Sequence, residues 1–272
     1  MCGLFGAIGG RINPGIIRAL AIANRERGSE SLGFFNSTGK MCKQAGDPLD
    51  CLAENHFADF IDSSAKKCWF VVGHTRQSSR GKVSNKNAHP FRYGRIIGAH
   101  NGIVSAPKRY TVDSQYIFDR LNTCGGDYQA ALGNLGGYWG LAWFDGRELF
   151  LQAHRNTIAM GRDRSGTMYF SSDVNHLAAC LRLERDENIL GEGETVKFDC
   201  KSRKPIQLPP VKVTASEVIK FDPVTIGKGH RDFDDGTLCN YDDKYRDAMR
   251  DPFYCRDDEW LANWDRYVKD YE

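Results

Sequence analysis

The sequence contains no paired CxxC motifs, no HExxH and no Walker-type phosphate loop, so it encodes neither a zinc site of familiar spacing nor a nucleotide cradle. Gly191-Glu192-Gly193 and Gly227-Lys228-Gly229 are too short to be more than turns. No apolar run approaches the roughly 20 residues that span a bilayer. The apolar start, MCGLFGAIGG, lacks the positive flank of a secretory leader. A strong net charge is also missing, and +2 over 272 residues makes no electrostatic case for nucleic acid. Nine cysteines form an odd set without paired spacing, which points to a reduced, cytoplasmic chain. Neither metal, cofactor nor membrane is expected from these absences.

What is present is ordinary globular composition, with 41% hydrophobic and 26% charged residues. The small net charge hides an asymmetry. Residues 221–272 hold 14 Asp/Glu against 8 Lys/Arg, which leaves the first 220 residues basic. An acidic tail on a basic body fits a solvated tail, a charged partner surface or self-association into an oligomer. His230, Asp232, Asp234 and Asp235 belong to that tail and read as a solvated acidic loop rather than metal ligands.

Along the chain, Cys2 to Ile8 reads as a buried strand at the terminus. Asn13-Pro14 is an N-cap followed by proline, ahead of a helix with Ile16, Ile17, Leu20 and Ala21 on one face. Strands are predicted at 32–36 and 41–45 around Thr38-Gly39, and a polar helix over 52–61. CWFVVG (68–73) has the β-branching of a buried strand and runs into the polar segment 74–89. RIIGAH (95–100) is another strand, ending at Asn101-Gly102. Asp113 and Asp127 are predicted to cap helices reaching 121 and 135. Strands at 138–144 and 148–154 flank Asp145-Gly146, a hairpin signal. A strand at 168–171, a helix at 173–181 and a strand at 196–198 follow. Hairpins with paired helices imply layered α+β packing rather than a doubly wound parallel sheet. The regular pattern weakens past about 205, so the domains divide at 2–205 and 206–272. A last helix is predicted at 257–271, where Trp260 and Trp264 serve packing or docking on the body or a partner.

Cys2 gains chemical weight from what removal of Met1 exposes. The α-amine, with an ordinary pKa of about 7.7–8.0, would stand beside a thiol of about 8.5. One residue then supplies both nucleophile and base. Asn101-Gly102 offers a side-chain NH₂ and an unobstructed backbone N–H for an oxyanion. Arg76, just past a buried strand, offers a planar fork for a carboxylate, and Asp113 a charge for an ammonium.

The order of these segments resembles the class II glutamine amidotransferases. The resemblance rests on Cys2-Gly3-Leu4-Phe5-Gly6, Arg27-Gly28-Ser29-Glu30-Ser31, Gly73-His74-Thr75-Arg76, Asn87-Ala88-His89-Pro90 and His100-Asn101-Gly102-Ile103. Val112-Asp113-Ser114, Gly137-Tyr138-Trp139-Gly140-Leu141-Ala142 and Phe170-Ser171-Ser172-Asp173 extend it, so that it covers about residues 2–200. It implies a four-layer αββα N-terminal-nucleophile fold without metal or organic cofactor. It implies Cys2 as nucleophile, Asn101 and Gly102 as oxyanion hole, and Arg27 as support for the nucleophile's surroundings. Arg76 and Asp113 would bind the carboxylate and ammonium of glutamine, with Ser79 and His89 as further substrate-binding candidates.

The sequence departs from the motif in two places. Gln77 and Arg80 stand where sugar-amidating members commonly carry an aromatic and a histidine, and Glu30 replaces a shorter acidic residue. Only about 70 residues follow the resemblance, too few for a sugar isomerase, phosphoribosyltransferase or synthetase. The leading expectation is therefore a glutaminase supplying ammonia to a synthase or transferase on another polypeptide. The alternatives are hydrolysis of a small γ-glutamyl metabolite and a non-catalytic glutamine-binding module.

Overall fold

A computed structural model describes residues 2–181 and 188–213 of the chain. All described residues belong to one compact unit. The predicted helix at 257–271, with Trp260 and Trp264, lies outside the described residues.

The first sheet contains β1 (Gly3–Ile8), β2 (Ser31–Asn36), β3 (Met41–Ala45), β4 (Phe70–Arg76), β9 (Ala159–Arg162), β10 (Met168–Ser171) and β11 (Asn188–Ile189). Its order is β11-β9-β10-β1-β4-β2-β3, which places the strand following Cys2 in the middle. The second contains β5 (Phe91–Tyr93), β6 (Ile96–Val104), β7 (Gly137–Phe144), β8 (Glu148–His154), β12 (Thr195–Asp199) and β13 (Ile206–Leu208). Its order is β13-β12-β8-β7-β6-β5. Every described pairing in both sheets is antiparallel. The α+β expectation is met.

The period-two alternation of the strands builds the layers. Leu4 and Ile8 of β1, Val72 of β4, Ala99 of β6, Ala142 of β7 and Leu151 of β8 share one core between the sheets. On the outer face of the first sheet, Phe5 meets Phe34 edge-on, and Phe34 meets Phe57 of a helix. That layer holds α1 (Pro14–Ala23), α3 (Asn55–Lys67) and α6 (Val174–Leu181), with α2 (Pro48–Ala53) packed on β2. On the outer face of the second sheet, Trp139, Leu141 and Trp143 pack with Ile117 and Phe118 of α4 (Asp113–Thr123) and Leu132 of α5 (Tyr128–Leu132). The result is four layers in the order αββα.

Local chemistry accounts for several boundaries. Asn13 caps α1 by accepting from the Gly15 N–H at 2.8 Å, with Pro14 at the first helical position as predicted. The predicted helix at 52–61 is instead two helices, because Asp47-Pro48 starts one and the chain turns extended at Glu54 before the other. β4 runs past Gly73 through His74, Thr75 and Arg76, since β1 pairs with it as far as Thr75 and β2 as far as Arg76. β6 likewise does not end at His100. Pairing with β7 continues through Asn101↔Gly140 and Gly102↔Trp139, so Asn101-Gly102 is strand rather than turn. Asp113 is the first residue of α4, not its cap, which is Val112. β13 pairs with β12 and Val211 is buried, so the body continues past residue 205.

Candidate active site

Cys2 sits at the leading end of β1, half-buried, with its Sγ donating to the Gln77 carbonyl at 3.4 Å. Burial pushes its thiol up from the ordinary value, against smaller opposing effects of the Gln77 backbone and the Arg76 charge. Register explains the neighbourhood. Gly3 faces Thr75 and Leu4 faces His74 on β4, so Arg76 and Gln77 continue alongside Cys2. The Asp113 carboxylate also acts on the Cys2 thiol, raising its pKa.

Arg27 closes a short 3-10 turn at Asn24–Arg27 that follows α1. Its Nε donates to the Cys2 carbonyl at 3.0 Å and its Nη1 pairs with Asp173 Oδ2 at 2.7 Å. Arg27 thus holds the main chain of Cys2 directly. Gly28 follows because its backbone presses on β4, where an added Cβ would lie 2.8 Å from the Arg76 nitrogen.

Arg76 is buried at 2% exposure, and one nitrogen, Nη2, donates to the Arg80 carbonyl at 2.7 Å. Its Nη1 has no partner among the described residues. Asn101, 4% exposed, is in the same condition. Its carbonyl accepts from Asn156 Nδ2 at 2.8 Å, while its own Nδ2 is buried and unpartnered. Buried donors without partners are costly and rare, so each of the two marks a place for a ligand's acceptor. Gly102, with φ +147°, has a backbone that a side chain would strain, and a Cβ there would meet the Tyr138 carbonyl and lie 2.8 Å from Trp139 Cα. Asp113 is buried too, and its two oxygens accept from the Val104 N–H at 3.0 Å and the Ser114 N–H at 2.9 Å.

The two remaining candidates are placed differently. Ser79 is exposed on the loop after β4. His89 is buried, its ring 3.9 Å centroid to centroid from His74 and 4.8 Å from Phe91. His74 Nε2 bonds the His100 carbonyl at 3.0 Å, and His100 Nδ1 lies 3.0 Å from Ser114 Oγ. Burial lowers all three imidazoles, His74 to about 3 and His89 well below its ordinary value. They stand as a neutral cluster in which His74 touches the His89 ring and bonds the His100 main chain, linking β4 to β6 and, through Ser114, to α4.

Sequence reading missed several of these contacts. Asp173 lies in a recognised motif, yet nothing in its spacing reveals a partner 146 residues away. Asn156, which bonds the Asn101 carbonyl, carries no local signal at all. Among the described residues, no group of three or more His, Cys, Asp or Glu is placed to hold a metal ion.

No protein-family model matches the chain. It is 27% identical over 227 residues to the glutamine–fructose-6-phosphate aminotransferase (isomerizing) of Mycolicibacterium smegmatis, covering 72% of this chain and 36% of that protein. It is 31% identical over 110 residues to the enzyme of the same name from Lactococcus lactis, covering 38% of this chain and 17% of that one. The matches thus span about a third or less of these curated relatives. Among solved structures, the glutamine phosphoribosylpyrophosphate amidotransferase from B. subtilis superposes with a TM-score of 0.56 at 15% identity, covering 76% of this chain and 49% of that one. A structure described as the allosteric regulatory enzyme of purine biosynthesis superposes at 0.60 and 16% identity, covering 76% and 48%. In its ordered motifs the described body of the chain is similar to the glutamine–fructose-6-phosphate aminotransferases, and its two facing antiparallel sheets share the fold of these amidotransferase structures.

Proposed function

We propose that the chain hydrolyses the side-chain amide of glutamine through a γ-glutamyl thioester on Cys2 and supplies the ammonia to a synthase or transferase on a separate chain. The observation that carries this reading is the pair of buried, unpartnered donors, Arg76 Nη1 on the strand beside β1 and Asn101 Nδ2 on β6.

Glutamine's α-carboxylate accepts from the free face of Arg76, and its α-ammonium pairs with Asp113, whose two bonds to backbone N–H groups leave lone pairs on both oxygens. The α-amine freed by loss of Met1 takes the thiol proton as Sγ attacks the amide carbon. The oxyanion that forms accepts from Asn101 Nδ2 and the Gly102 N–H, donors fixed in advance by the β6–β7 pairing. Collapse breaks the C–N bond, and the proton returns to the leaving nitrogen, giving ammonia. Water then attacks the thioester and regenerates the thiol, releasing glutamate. A reducing, cytoplasmic setting belongs to the same proposal, because the nucleophile works only as a free thiol and the seven described cysteines are unpaired.

The test is intact mass together with ammonia release from glutamine and from small γ-glutamyl conjugates, comparing wild type with Cys2→Ala. Loss of Met1 with Cys2-dependent ammonia release from glutamine is expected. Turnover confined to γ-glutamyl conjugates would replace ammonia supply with metabolite hydrolysis. Retained Met1 without turnover of either substrate would leave a binding module.

A further inference from the structure

Two of the three residues at which the sequence departs from the family motif, Glu30 and Gln77, meet in space. Glu30 Oε1 accepts from Gln77 Nε2 at 2.9 Å, and Glu30 Oε2 accepts from the Ser78 N–H at 2.6 Å. We propose that Glu30 and Gln77 form a latch that positions the loop after β4 over the Cys2 thiol. Glu30 is then a positioning residue for the nucleophile and the substrate cleft, and its consequence for turnover rests on the glutaminase reading above.

The base of the latch is fixed by main-chain bonds. The Glu30 N–H donates to the Arg76 carbonyl at 3.0 Å and the Glu30 carbonyl accepts from the Gly46 N–H at 2.9 Å, so its backbone is held between β4 and the end of β3. Both carboxylate oxygens then reach consecutive residues of the loop. Two bonds to residues 77 and 78 orient the peptide unit between them, and the carbonyl of that unit is the one that accepts from Cys2 Sγ at 3.4 Å. The loop is also bonded within itself. Ser78 Oγ donates to the Gly81 carbonyl at 2.6 Å, and Arg76 Nη2 donates to the Arg80 carbonyl at 2.7 Å. Movement at Gln77 therefore reaches both the thiol and the guanidinium offered to the substrate. An aspartate at position 30 would end one C–C bond, about 1.5 Å, farther back, which explains why the longer acid accompanies Gln77.

The chemistry of the pair supplies its test. A carboxylate only accepts, whereas an amide both donates and accepts. Gln77→Glu puts two carboxylates face to face and opens the latch. E30Q/Q77E keeps the net charge and restores the pair in reverse, the amide at 30 donating to the carboxylate at 77 and accepting from the Ser78 N–H. Gln77 is exposed, and thermal melts of all variants confirm that each is folded.

Two readouts are taken, namely the rate of Cys2 alkylation by iodoacetamide without glutamine, followed on the Cys2 peptide by mass, and KM against kcat for glutamine. Q77E is expected to speed alkylation about fivefold and raise KM about tenfold, with kcat changing less, and the double variant to return both to within about twofold of wild type. Wild-type alkylation in Q77E, or a double variant no nearer wild type than Q77E, would overturn the latch. Swap-dependent alkylation in a protein that releases no ammonia would uphold the latch while removing the glutaminase reading.

Discussion

Arg27 and Asp173 meet at 2.7 Å, and the same guanidinium holds the Cys2 carbonyl at 3.0 Å. One partly buried ion pair thus joins the turn after α1 to the end of β10 and fixes the main chain of Cys2 between them.

Asp173→Asn tests that link. Burial pushes the Asp173 carboxyl up, but the charges of His176 and Arg27 and their hydrogen bonds outweigh it and hold the group below its ordinary value. A carboxyl with a depressed folded pKa contributes stability that is full above its unfolded value, about 3.9, and is lost as pH falls through the folded value. The variant should lose about 1–3 kcal/mol in urea unfolding at pH 7, and the gap to wild type should close below about pH 4. A gap that widens in acid would contradict this pairing. Turnover should fall as well, because Arg27 loses the partner that aims it at Cys2.

Asn101→Ala removes a donor that has no partner in the unliganded site. A group that bonds only the oxyanion should leave KM nearly unchanged and cost about 10²–10³ in kcat. Steady-state kinetics with glutamine decides it. A rise in KM at constant kcat would make Asn101 a ground-state contact instead.

Arg76→Lys keeps the charge and loses the fork. Lysine cannot bond the Arg80 carbonyl and a substrate carboxylate with the same planar geometry. A fall in kcat/KM of about 10–100-fold, carried mainly by KM, is expected for the loss of one charge-assisted bond. An unchanged KM would place the carboxylate elsewhere.

The clustered histidines predict acid sensitivity of a particular sign. His74, His89 and His100 are held neutral by burial, so their folded pKa values lie below the unfolded value of about 6.5. Their contribution is complete above that value and is lost as pH falls from it toward the folded values. Unfolding near pH 5 should take up about two protons from His74 and His89, a slope of about 3 kcal/mol per pH unit, with His100 adding in the same direction. Urea titrations at pH 7.5, 6.5 and 5.5 measure it, and a flat profile would show that the cluster is solvated.

Much of the fold was legible because strand and helix periodicity, Asn13-Pro14 and the hydrophobic runs act locally. β3, β10 and the cap of α1 lie where the pattern places them. The failures share a cause. β4 and β6 continue through polar residues because neighbouring strands satisfy their backbones, and no local propensity records a neighbour 33 to 72 residues away. Short strands such as β5, β9 and β13 lack the length to show a period.

The sequence alone determined which residue types are available to the chemistry: a cysteine at position 2, a buried-strand arginine, an Asn-Gly pair and an acid, in one fixed order. Only the tertiary structure decided that Asn101-Gly102 is strand, with Gly102 at φ +147°, that Arg27 holds Cys2 while paired with Asp173, and that Glu30 and Gln77 form one contact. These are relations between segments 25 to 146 residues apart. They arise from how two sheets stack and which backbone groups remain unsatisfied, and a one-dimensional pattern carries neither.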